Sequence, residues 1–239
     1  MKIYKSTSKK LLTRISAVCL LFLLLSSCLK DHNNYYAPPV ALVTFIQASP
    51  DQSPLDFYLD NNKVNLFPIN YGDDIDYFRA YTGKRTANFY SRIAMSKILS
   101  DTIHLNPNTT YSLFLANTTN HPEIVLLTDS ISKPASGNAN IRFINLSPDA
   151  PAVDLAVKGG AVLVSNKSFK GYTSFLPIQG NMSYTFEVRQ QGTSTVLATM
   201  DNVTLNSNFV YTIWFHGLAG ATNNTDKLSA DIITNAIYY

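Results

Sequence analysis

Apolar and polar residues alternate with a period of two in several stretches of the chain, which predicts strands rather than helices. Met182, Tyr184, Phe186 and Val188 interleave with Ser183, Thr185, Glu187 and Arg189. Tyr111, Leu113 and Leu115 share one strand face, as do Tyr211, Ile213 and Phe215. Around residue 144 the division is less clean, with Arg142, Ile144 and Leu146 set against Phe143 and Asn145. Beyond residue 28 no stretch keeps a long 3.6-residue apolar period, and the only glutamates are Glu123 and Glu187. Tyr, Phe, Val, Ile and Thr dominate instead, which suits a pleated surface. Short strands separated by turn residues predict an all-β chain built of antiparallel sandwiches.

The first residues follow another pattern. Lys2, Lys5, Lys9, Lys10 and Arg14 precede an apolar run of 11 residues, Ile15 to Leu25. A membrane-spanning helix needs roughly 20, so the run fits the apolar region of a signal peptide. Leu25-Ser26-Ser27-Cys28 resembles the lipobox of bacterial lipoproteins. That resemblance implies diacylglyceryl transfer to the Cys28 thiol, cleavage before it and acylation of the new amino group. Two acyl chains already give stable anchoring. Residues 1–27 are thus expected to be a lipoprotein signal peptide and 28–39 a lipidated tether ending in Ala37-Pro38-Pro39, with the membrane as a partner through the lipid. Lys30-Asp31 resembles the short Lys/acid-rich export signal of Bacteroidetes surface lipoproteins; a solvated tether is the other reading. The expected location is the outer membrane, facing the periplasm or the cell surface.

Maturation changes the charge. The chain has 19 Lys+Arg and 16 Asp+Glu, net +3. Five cations leave with the signal, so 14 face 16 and the balance becomes −2. No basic cluster remains, which excludes a nucleic-acid partner. Cys19 leaves with the signal and Cys28 carries lipid, so no disulfide is expected.

An internal repeat sets the organisation. Val43-Thr-Phe-Ile-Gln-Ala-Ser-Pro-Asp51 matches Ile141-Arg-Phe-Ile-Asn-Leu-Ser-Pro-Asp149 at an offset of 98, and Leu105-Asn-Pro-Asn-Thr-Thr-Tyr111 matches Leu205-Asn-Ser-Asn-Phe-Val-Tyr211 at 100. The expected architecture is two tandem immunoglobulin-like antiparallel β-sandwich domains, 40–132 and 139–239, joined by the turn-forming Lys133–Asn138. Ser-Pro-Asp predicts a type I turn whose Asp51 or Asp149 bonds its own downstream amides. Asp56 and Asp154 follow in the next strand and are expected to cap nearby loops. Asn before Tyr111 and Tyr211 tolerates left-handed backbone, and each Tyr predicts a tyrosine corner.

Ile141-Arg-Phe-Ile-Asn-Leu-Ser-Pro-Asp-Ala-Pro-Ala-Val-Asp154 resembles the opening of the domain-of-unknown-function 4397 family. The first copy is looser, with Gln52-Ser53 before Pro54. The resemblance covers roughly residues 40 to 235 and implies an exported β-sandwich module, common in Bacteroidetes lipoproteins and often in tandem. It implies no catalytic residues.

The search for chemistry is correspondingly sparse. His104, His121 and His216 lack partners at zinc spacing and are expected to face solvent or make single bonds. No nucleophile elbow, phosphate-cradling loop or dinucleotide fingerprint occurs, so no cofactor is expected. Asp73, Asp74 and Asp76 form a weak calcium candidate, with a solvated loop preferred. Trp214, Tyr77 and Tyr81 are candidate ligand-binding residues; Trp214 either stacks on a ligand or covers the domain interface. Asp101-Thr102-Ile103 and Asp129-Ser130-Ile131 resemble the O-glycosylation acceptor of exported Bacteroidetes proteins, at Thr102 and Ser130. The reading reached is a non-enzymatic interaction or structural module of the cell envelope, with an envelope protein or a glycan as partner. The alternatives are a surface carbohydrate-binding accessory protein and a hydrolase using a carboxylate pair such as Asp56 and Asp154.

Overall fold

A computed structural model describes residues 37–239, so the signal sequence, Cys28 and Lys30-Asp31 lie outside the described residues. Among the described residues every regular element is a strand. The first eight are β1 (Val40–Gln47), β2 (Leu55–Leu59), β3 (Asn62–Lys63), β4 (Asp74–Tyr81), β5 (Gly83–Ser91), β6 (Lys97–Leu105), β7 (Thr110–Ala116) and β8 (Glu123–Thr128). The next eight are β9 (Asn138–Asn145), β10 (Val153–Val157), β11 (Val162–Lys167), β12 (Leu176–Gln179), β13 (Met182–Gln190), β14 (Val196–Leu205), β15 (Phe209–His216) and β16 (Ser229–Ile237).

These strands make four sheets of four: β4-β1-β7-β8 with β3-β2-β5-β6, and β12-β9-β15-β16 with β11-β10-β13-β14. The order is the same twice over, and each pair of sheets forms a sandwich-like unit. The register repeats as well. β1 and β7 run parallel with Val43 opposite Tyr111, and β9 and β15 run parallel with Ile141 opposite Tyr211. Each unit has its own core. Phe57 and Phe89 stack at its centre in the first with Phe45 tilted against both, and Phe143, Phe186 and Phe215 lie in the second.

The repeated motif is a clamp between loops. Ser49 Oγ donates to the Asn117 carbonyl at 2.6 Å, and Ser147 Oγ donates to the Gly217 carbonyl at 2.7 Å. Gln47 Oε1 and Asn145 Oδ1 each accept the amide of the serine two residues on. Asp51 accepts from the amide and hydroxyl of Thr119, while Asp149 accepts from the amides of Ala219 and Gly220. The expected local Asx turns are thus replaced by bonds to a loop 68 to 71 residues away. Asp51 has φ of 60°, so the turn of the first copy departs from type I, whose third residue has a negative φ. Gly217 (φ 89°) cannot carry a side chain, because a Cβ there would lie 2.3 Å from the Lys227 carbonyl.

The tyrosine corners form as the repeat predicts. Tyr111 Oη accepts the Asn106 amide and Tyr211 Oη the Asn206 amide, each at 3.0 Å. The turns between are left-handed at Asn108 and Asn208. Tyr111→Phe and Tyr211→Phe are each expected to cost about 1 kcal/mol, the net worth of one such bond. Urea unfolding checks this; equal midpoints for wild type and both variants contradict it.

Pro39–Tyr239 is one compact body, because the two sandwiches are fused face to face. Strands β1, β7, β9 and β15 are buried on both sides. Their second faces meet in a shared apolar cluster: Ile46, Ala48, Phe114, Val125 and Leu127 against Ile144, Leu146 and Trp214. Ile46 and Ile144 are equivalent positions, as are Phe114 and Trp214. The same patch from each copy meets itself, as in the isologous interface of a two-fold dimer, but within one chain.

Beside this cluster lies a buried polar ring. Arg142 (2% exposed) donates to Asp129 at 2.6 Å, to Ser112 at 3.0 Å and to Thr212 at 2.9 Å. Thr212 donates to Asn235, Asn235 to Tyr77 Oη, and Tyr77 Oη back to Asp129. Every member is satisfied, which is the condition under which a buried ion pair is tolerable.

Candidate functional site

The structure scatters the residues that the sequence singled out. Trp214 is 1% exposed, stacked on His216 at 4.0 Å between ring centroids. Its outward face on β15 meets the first sandwich instead of solvent, so no ligand can stack there. Tyr77 is taken into the polar ring, where burial, and then the Asp129 charge, push its hydroxyl above the usual range and keep it a donor. Tyr81 is 57% exposed, with the Arg85 guanidinium 5.9 Å from its ring centre. Tyr77 and Tyr81 therefore do not build one patch.

Asp73 is held by the Asn70 amide and side chain, and among the described residues no three metal-ligating side chains converge. The calcium candidate at Asp73, Asp74 and Asp76 has no cage. Asp56 is bound by Lys63 at 2.9 Å, Arg92 at 3.0 Å and Asn65 at 3.0 Å. Burial raises its pKa, but these hydrogen bonds outweigh it and hold the carboxyl below its ordinary value. A depressed carboxylate stabilises the fold at a pH above its unfolded value near 4, and that contribution is lost as pH falls through the folded value. Asp154 instead accepts the amides of Asn166 and Gly192. Each Asp is occupied on the outer sheet of its own unit, so the two do not form a hydrolytic pair.

His216 is not solvent-facing or singly bonded. Its Nδ1 meets the Tyr71 hydroxyl and its Nε2 meets Asp231 at 2.9 Å. Tyr71 belongs to the first unit and Asp231 to β16, so this chain of bonds also spans the interface. Thr102 and Ser130 are both exposed. The acceptor pattern needs its aspartate as well: Asp101 is exposed, whereas Asp129 is committed to Arg142.

An aromatic site that the sequence pattern did not reveal lies on the outer sheet of the first unit. Tyr58 on β2 and Tyr90 on β5 meet at 80°, ring centres 5.5 Å apart. Asn88 sits opposite Tyr58 and Lys97 opposite Tyr90 in the register, with the Lys97 ammonium 5.6 Å from the Tyr90 ring centre. Together with Asp60 and Asn61 they line an open cleft of about 440 Å³. Two apolar walls and a few hydrogen-bonding groups are the usual makings of a small-ligand cleft. The matching positions of the second unit are Ala156 and Arg189, the latter paired with Glu187 at 2.6 Å. The cleft is therefore not part of the repeat.

Fold and faces together define a chain of two fused β-sandwich units with an open aromatic cleft on the first. Residues 41–156 match the sequence profile of a family described as Domain of unknown function (DUF4397), which supports the resemblance noted at Ile141–Asp154. No curated protein matches the chain. Among solved structures, a family 26 carbohydrate-binding module from Eubacterium rectale Amy13K, in complex with maltoheptaose, is 11% identical, with 82% of this chain and 95% of that one covered and a TM-score of 0.25. The Bacillus anthracis TIE protein is 9% identical, with 82% and 44% covered and a TM-score of 0.25. Streptococcal family 41 carbohydrate-binding modules that recognise alpha-glucan are 12% identical, with 80% and 96% covered and a TM-score of 0.23.

Proposed function

We propose that the protein is a lipid-anchored, non-enzymatic binding or structural module of the cell envelope, at the outer membrane. The observation that carries this reading is how the repeated polar residues are used. Asp51, Asp149 and Asp154 hold loops, and Asp56 ties together Lys63, Arg92 and Asn65. The Tyr111 and Tyr211 hydroxyls are committed to their corners. The repeat thus serves the scaffold, and the features unique to the first unit are left to meet a partner. We read the sandwiches as immunoglobulin-like; the tyrosine corners and the parallel pairing of first and seventh strands support that.

Anchoring rests on Leu25-Ser26-Ser27-Cys28. Wild type is expected to sediment wholly with membranes and Cys28→Ala to remain soluble, by fractionation and immunoblot. Retention of Cys28→Ala on membranes contradicts the lipid anchor. Protease shaving of intact cells then separates the two faces: digestion places the protein on the surface, and protection until the outer membrane is broken places it in the periplasm.

The Tyr58–Tyr90 cleft favours a second reading, a glycan-binding accessory protein. In affinity electrophoresis against soluble glycans, Tyr58→Ala with Tyr90→Ala is expected to weaken binding at least tenfold without moving the thermal midpoint by more than a few degrees. Absence of retardation of the wild type by every glycan removes this reading and leaves the anchored module standing.

A further inference from the structure

Residues 64–76, the connection from β3 to β4 with the start of β4, carry an inference beyond that reading. Leu66 is 89% exposed and Phe67 79%. Adjacent exposed apolar side chains form a patch, and apolar patches rimmed by polar residues mark interaction sites. Their backbone is nevertheless held firmly. Asn65 is buried; its side chain accepts the Phe57 amide at 2.8 Å and donates to the Phe67 carbonyl at 2.6 Å and to Asp56 at 3.0 Å. Ile69 pairs with Leu55 on the other side of the bend. The two apolar side chains are thus presented by a fixed loop.

They border a cleft of about 580 Å³, lined also by Val64, Ile69, Asp73 and Asp74. Among the described residues no Lys, Arg or His forms an ion pair with Asp73, Asp74 or Asp76. Burial, and then repulsion from Asp76 and Asp73, hold the Asp74 carboxyl above its ordinary value. The cleft therefore combines exposed apolar surface with negative charge that no ion pair among the described residues offsets. In the second unit the corresponding connection, between β11 and β12, behaves differently. Phe169 packs against the inter-unit cluster, Phe175 lies 4.8 Å from the Arg142 guanidinium, and the segment has no acid.

We infer that residues 64–76 of the first unit form a docking surface for a polypeptide segment that presents apolar side chains beside Lys or Arg. Leu66 and Phe67 supply the apolar contact, and Asp73, Asp74 and Asp76 supply the charge that selects a basic segment. Electrostatic matching of this kind fixes the choice of partner more than it adds affinity. The same carboxylates work against an anionic lipid surface.

The test uses the full-length chain in detergent and three fluorescein-labelled peptides of equal length: alternating Leu-Lys, alternating Leu-Glu and alternating Ser-Lys. Anisotropy is expected to show saturable binding of Leu-Lys, weakened at least tenfold by L66S/F67S and by D74N/D76N, and weakened by raised salt. Leu-Glu and Ser-Lys are expected to bind at least tenfold more weakly than Leu-Lys. These variants sit on exposed positions, and an unchanged circular-dichroism melt shows that they fold. Equal binding of Leu-Lys and Leu-Glu, or Leu-Lys binding that neither double variant alters, overturns the inference. So do two other results: phosphatidylglycerol vesicles captured by wild type and not by L66S/F67S, which makes the loop a lipid contact, and self-association abolished by L66S/F67S, which makes it a dimer face. The Tyr58–Tyr90 cleft and Cys28 are untouched throughout, so each reading fails separately.

Discussion

Asp129→Ala is expected to lower stability by about 3–5 kcal/mol, because it leaves the Arg142 guanidinium buried without its counter-charge. The pair lies at 2.6 Å with side chains 0% and 2% exposed. Water cannot replace the lost partner without opening the interface between the sandwiches. Ser112 and Tyr77 lose their acceptor as well. The same chemistry predicts an asymmetry. Replacing both charges with apolar residues of similar size, Asp129→Leu with Arg142→Met, is expected to recover most of the loss, because the desolvation cost disappears with the charges. Guanidinium unfolding of the three chains decides it. A double variant as unstable as Asp129→Ala contradicts this account and makes the hydrogen-bonded ring itself the source of stability.

Trp214→Ala is expected to cost about 3–5 kcal/mol, the range for removing a large buried aromatic side chain and leaving a cavity. The cavity opens between the two units, next to Ile144, Leu146 and Phe114. Cooperativity is therefore expected to suffer along with stability. Wild type is expected to unfold in one step and Trp214→Ala in two, seen by far-ultraviolet circular dichroism. Because Trp214 is the sole tryptophan, its fluorescence in the wild type reports the interface directly. One midpoint for the variant, unshifted from wild type, contradicts this placement of the ring. The buried indole N–H has no hydrogen-bond partner among the described residues, so Trp214→Phe is expected to cost much less than Trp214→Ala.

The repeat made much of the fold legible in advance. Alternation in Tyr211–His216 assigned Tyr211, Ile213 and Phe215 to one face, and they are the core face. It could not say what covers Thr212, Trp214 and His216. A strand buried on both sides reads the same as one with a polar outer face until the neighbouring sheet is known. Arg142 shows the same blindness. A charge on a strand suggests solvent, yet its partner Asp129 lies on the connection from β8, and their meeting depends on how the units stack. Asp51 and Asp149 were expected to act locally, because nothing along the chain marks the loop at Thr119 or Ala219 as their target. Tyr58 and Tyr90 stand 32 positions apart and meet only through the β2–β5 register, in which Tyr90 lies opposite Asp56. Sequence periodicity carries no trace of that pairing.

The self-matching interface has a consequence for how the chain comes into being. The first sandwich has its β1–β8 strands once Thr128 has emerged, but Trp214, which covers Ile46, Phe114, Val125 and Leu127, comes 86 residues later. On the export reading proposed above, that apolar sheet stays without its lid until β15 has also crossed the membrane. During the wait its best available match is the same face on another nascent copy. Premature pairing between chains and correct closure within one chain thus compete for one surface. A holding chaperone that binds β-sheet faces is expected to raise the yield of the folded protein most strongly at high expression.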